Sequence, residues 1–137
     1  MQDIDQAIRS AECLLPGVPA PPGETDPRWR AIIDISEHIE STPEPVWQLV
    51  IRWSGQADDD LRAALATCLL EHILEHHFEV YFPQLEKLVA EDNGLAETFA
   101  ICSKFRRSAE PLNAARFDSL KAGARVRASS QQCLGPN

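Results

Sequence analysis

The stretch that decides the fold is Asp58-Asp59-Asp60-Leu61-Arg62-Ala63-Ala64-Leu65-Ala66-Thr67-Cys68-Leu69-Leu70, continuing as Glu71-His72-Ile73-Leu74-Glu75-His76-His77-Phe78. Three carboxylates at its start favour the positive end of a helix dipole. The apolar residues that follow sit nearly all round a helical wheel, and a helix of that kind is sandwiched between neighbours rather than laid on a surface. The spacing predicts a helix from Leu61 to about His77. Working outward, Asp26-Pro27 and Thr42-Pro43 each pair a capping residue with a proline at the first helical position, where the missing N–H costs nothing. Trp29, Ile32, Ile33, Ser36 and Ile39 give a helix reaching about Glu40. Val46, Trp47, Leu49, Val50 and Trp53 give the next, closed at Ser54-Gly55. Phe78 to Ala90, closed by Asn93-Gly94, and Leu95 to about Phe105 supply two more, and residues 1–15 a short one before them all. No window alternates like a strand. The expected fold class is all-α.

Sliding the chain by 32 residues lays Trp29-Arg30-Ala31-Ile32-Ile33 on Leu61-Arg62-Ala63-Ala64-Leu65. That register suggests antiparallel helix pairs stacked as in HEAT repeats, with a plain helical bundle as the alternative. The expected organisation is an N-terminal helix and Pro-rich strap (1–25), a helical core (26–106) and a basic tail (107–137). Pro16 to Asp26 carries four prolines and two glycines in eleven residues, so it reads as an extended strap. The tail is expected to fold back over the body as far as Leu120 and to be disordered from Ser129 onward.

The run Asp26 to Ile33, then Pro45-Val46-Trp47, then Asp60 through Phe78, then Phe99 to Phe105 resembles a set of short bacterial all-helical proteins with two-helix repeats. The most specific part is Leu70-Glu71-His72-Ile73-Leu74-Glu75-His76-His77-Phe78. No activity is established for that group, so the likeness implies the fold and not a reaction. It also implies a small residue and a polar one where Arg106-Arg107 stand, and the turn there departs from the pattern.

At 137 residues and net charge −8 the chain is the size of one domain, and its acidity disfavours a surface that grips nucleic acid or an anionic membrane. No run is apolar enough to span a bilayer, and the acidic N-terminus does not read as a secretory signal. Cys13, Cys68, Cys102 and Cys133 form no C-x-x-C pair and read as reduced. A cytoplasmic protein is expected.

Charge is divided unevenly along the chain. Residues 1–103 hold six basic and nineteen acidic side chains, whereas 104–137 hold seven basic and two acidic. An acidic helical body suits a partner protein with a basic surface, because complementary charge speeds encounter. The concrete form is an immunity-type inhibitor of a toxin or nuclease. Glu37, Glu40, Asp58, Asp59 and Asp60 are the candidate charges and Trp53 the candidate apolar anchor; solvation of the outer helix faces is the plain alternative. No catalytic set and no cofactor is expected on this reading.

A second reading rests on the histidines. His72 and His76 lie one helical turn apart, and His72-x-x-Glu75-His76 matches an inverted zinc-protease motif in three positions. This would make the chain a zinc-binding protein or a metal-dependent hydrolase, but it needs a third protein ligand that the sequence does not identify. The bland reading has the imidazoles half-buried, bonded to carbonyls of a neighbouring helix or paired with Glu71 and Glu75.

Overall fold

A computed structural model describes residues 3–134, with side chains described as far as Ala124. The chain is all-α, with no strand among the described residues. Its helices are α1 (Ile4–Glu12), α2 (Pro27–Ser36), α3 (Pro43–Ser54), α4 (Asp59–Ala64), α5 (Glu71–Leu88), α6 (Asn93–Ile101) and α7 (Pro111–Leu134). A π-helical segment, Leu65–Leu70, joins α4 to α5, and a 3₁₀ turn, Arg106–Ala109, precedes α7.

The aspartate caps act as their chemistry requires, whereas Thr42, before α3, makes no side-chain capping bond. Asp26 accepts from the N–H of Arg28, and Asp58 accepts from that of Leu61 at 2.7 Å. Asp92 accepts from Leu95 N–H, so Asn93 and Gly94 open α6 instead of closing the helix before it. Gly94 is required there by packing: a Cβ on it would lie 2.4 Å from the Ser54 carbonyl oxygen. The end of α3 and the start of α6 are thus in backbone contact, and Thr98 Oγ1 donates to Ser54 Oγ at 3.0 Å across the junction.

Helical hydrogen bonding runs from Asp59 to Leu88, and the π segment in its middle is buried at Leu65, Ala66, Leu69 and Leu70. The expected boundary near His77 is met by a break, not by a loop: His77 alone leaves helical geometry (φ −135°, ψ 39°). The 32-residue register puts Leu61 and Phe78 on two helices of a pair, whereas here one non-helical residue stands in place of a connection. His77 Nε2 donates to the carbonyls of Ile39 (3.0 Å) and Glu40 (3.1 Å), which ties the break to the corner after α2. That corner begins at Glu37, earlier than the periodicity suggests, with Ile39 buried as its anchor.

The core is aromatic at its centre. Phe78 stacks on Phe82 at 4.4 Å, Phe117 of α7 meets Phe99 at 4.8 Å, and Trp47 meets Tyr81 at 5.2 Å. The tail that was expected to cross the acidic body does so as a helix, with Phe117 buried and Arg116 over the Phe82 ring. α7 stays helical to Leu134 past the point where disorder was expected, in keeping with its Ala, Arg and Gln content. Residues 135–137 lie outside the described residues. No described helix is long and apolar enough to cross a membrane.

Candidate partner-binding surface

The six candidate contact residues fall on different parts of the molecule. Asp58 and Asp60 converge on Arg28, a fully buried arginine. Its Nη1 donates to Asp58 Oδ2 at 3.0 Å and to the Pro16 carbonyl at 2.7 Å. Its Nη2 donates to Asp60 Oδ2 at 3.2 Å and Asp26 Oδ2 at 3.1 Å, and Trp29 Nε1 also donates to Asp60, at 3.0 Å. The Arg28 hydrogen bond holds the Asp26 carboxyl below its ordinary value. Burial opposes the same effect at Asp58, but the Leu61 N–H and Arg28 together still lower it. Asp58 and Asp60 are therefore paired within the chain while remaining partly open to solvent. Between them, Asp59 is exposed and has no hydrogen bond or ion pair through its side chain among the described residues.

Glu37 and Glu40 stand in the corner after α2, and exposed Glu44 follows in the first turn of α3. No lysine or arginine among the described residues pairs with these three; Glu40 meets only His76, at 3.7 Å. Helix α2, ten residues and so about 15 Å long, separates this corner from the Arg28 cluster. The acidic residues thus do not form one face. Trp53 is half-buried against the core with its Nε1 buried and unbonded.

The histidines organise a second polar cluster, whose hub is Glu75. Its Oε1 lies 2.7 Å from His72 Nδ1 and 3.6 Å from His76 Nε2, and its Oε2 accepts from Arg106 Nε at 2.9 Å. Burial would raise the Glu75 carboxyl, but His72 first, then His76 and Arg106, hold it low. Arg106 reaches this position with a left-handed backbone (φ 45°). The cluster walls an open bowl of about 530 Å³. His72 Nδ1 and both nitrogens of His76 face carboxylates, and no group of three or more His, Cys, Asp or Glu among the described residues is placed to hold a metal ion. The arrangement follows the bland reading of the histidines: ion pairs and carbonyl contacts.

One hub, Arg28, was not picked out from the sequence, whereas Glu75 was named there as a partner of the histidines. Arg28 and its partner Asp60 stand at equivalent positions of the 32-residue register, one residue before Trp29 and Leu61, but that register gives no contact. For Glu75 only the third partner, Arg106, carried no signal, because it arrives from a turn whose left-handed residue is an arginine. Compared with known proteins, the chain matches no family model, no curated protein and no solved structure.

Proposed function

We propose that this chain is a cytoplasmic protein-binding module that docks the basic surface of a partner protein onto the corner formed by Glu37, Glu40 and Glu44. An immunity-type inhibitor of a toxin or nuclease is its concrete form. The observation that carries this reading is a contrast in how carboxylates are used. Asp26, Asp58 and Asp60 hold Arg28, Glu12 holds Arg52, Glu97 holds Arg62, Glu75 holds Arg106, Glu79 holds Arg107 and Glu86 holds Arg116. The corner after α2 keeps its three charges exposed and without such partners. Exposed charge of one sign steers a partner of the other, chiefly by raising the association rate.

The test is a pull-down from the native host at low salt, followed by association kinetics with the purified partner. The Glu37→Gln/Glu40→Gln/Glu44→Gln variant is expected to associate about tenfold more slowly, a difference that closes at about 0.5 M salt. Recovery of no basic partner, or wild-type association by the triple variant, overturns the proposal.

A further inference from the structure

Residues 18–22 read Val18-Pro19-Ala20-Pro21-Pro22, and every one of them is a proline or precedes one. Proline fixes φ near −65°, and the residue before a proline is driven out of the α region into extended geometry. Covalent chemistry alone therefore dictates a polyproline II segment, three residues to the turn and with no internal hydrogen bonds. Val18 to Pro21 belong to neither helix nor strand, and Glu24 N–H closes a turn on the Pro21 carbonyl at 3.1 Å with Gly23 at φ 87°.

The strap's orientation is informative. Ala20 is the residue turned toward the body, its N–H directed at Asp26 Oδ2 at 3.4 Å. On either side of it, Val18-Pro19 and Pro21-Pro22 are exposed, with Val18 at 79%. The strap is also anchored: Leu15 is buried, and the guanidinium of Arg28 holds the Pro16 carbonyl. A segment ordered before binding loses little entropy on binding.

We propose that Val18–Pro22 is a docking segment for a partner domain whose groove is lined by aromatic side chains and edged by a basic residue. Domains that read polyproline II take two apolar-proline pairs into aromatic slots and leave the residue between them outside. The spacing here offers those two pairs outward and keeps Ala20 against the body. The basic edge follows from charge: Glu24 is exposed just past the segment and lines the notch beside it. This surface lies at the opposite end of α2 from Glu37 and Glu40, so either proposal stands without the other.

The experiment titrates the ¹⁵N-labelled full chain with three purified probes: an SH3 domain, a WW domain and an EVH1 domain. Prolines have no amide proton, so Val18, Ala20, Gly23 and Glu24 are the reporters. At least one probe is expected to shift these amides. Val18→Asp, at an exposed position, is expected to keep the wild-type melting temperature and weaken binding about tenfold. Pro19→Ala with Pro22→Ala is expected to weaken it as well. Unmoved reporters with all three probes, or wild-type binding by Val18→Asp, overturn the proposal. Shifts confined to Glu37–Glu44 overturn it too, and leave the acidic corner standing.

Discussion

Two buried polar residues set the chemistry at the residue scale, and they respond to change in opposite ways. Arg28 is a buried cation among three carboxylates, of which Asp58 and Asp60 remain partly open to solvent. Removing it leaves Asp26, nearly buried, without its guanidinium and frees the Pro16 carbonyl. Arg28→Ala is therefore expected to cost about 2–3 kcal/mol, below the full cost of breaking a buried pair because water screens two of its partners. Urea denaturation checks this, and amide exchange should rise first along residues 15–26. Glu71 is the reverse case. Burial raises its carboxyl above the ordinary value of 4.5, opposed by the Ser103 N–H that it accepts at 2.9 Å. A folded-state pKa above the unfolded one contributes stability that is complete below the unfolded value and is lost as pH rises through the folded value. Glu71→Gln keeps an acceptor for Ser103 and has no charge to bury. Its stability is expected to match or exceed wild type at pH 7 and to lose that advantage near pH 4. A variant less stable than wild type at pH 7 refutes this account of Glu71.

Elements show how far the sequence was legible. Asp26-Pro27 and the Asp58 to Asp60 run marked helix starts correctly because a cap is a local interaction, complete within three residues. Asn93-Gly94 was misread as a helix end because the reason for its glycine is not local: the Ser54 carbonyl, forty residues away, occupies the space of a side chain. The π segment was invisible for a similar reason, since its apolar residues satisfy an α-helical wheel equally well. The candidate site was less legible than the fold. Charge could be counted from the sequence, but which carboxylates are occupied depends on where Arg28 and Arg106 arrive. The basic tail is the clearest instance of tertiary contact deciding an element, because α7 is held by one large side chain, Phe117, set against Phe99 and stacked with Phe82. Phe117→Ala is expected to cost about 3–5 kcal/mol. Loss of α7 amide protection ahead of the remaining helices, measured by hydrogen exchange, would show that α7 is the element released.

Across the whole molecule, the division of charge joins two parts of the chain. The body to residue 103 is strongly acidic and the remainder is basic. Arg106, Arg107 and Arg116 carry that attraction to Glu75, Glu79 and Glu86, all on α5. Two opposing effects follow when salt is added. Screening weakens these three pairs, but each is at least partly exposed and contributes at most about 1 kcal/mol. Screening also relieves repulsion among carboxylates that have no cation nearby, including Glu37, Glu44 and Asp59, and this repulsion acts over the whole body at low ionic strength. With a net charge of −8 the second effect is the larger. The melting temperature is expected to rise between about 10 mM and about 0.5 M sodium chloride. The same titration on Glu37→Gln/Glu40→Gln/Glu44→Gln should start higher and rise less, because the repelling charges are already gone. A melting temperature that falls with salt in the wild type would mean that the Arg106, Arg107 and Arg116 pairs dominate, and would place the main electrostatic contribution in the tail instead of the corner after α2.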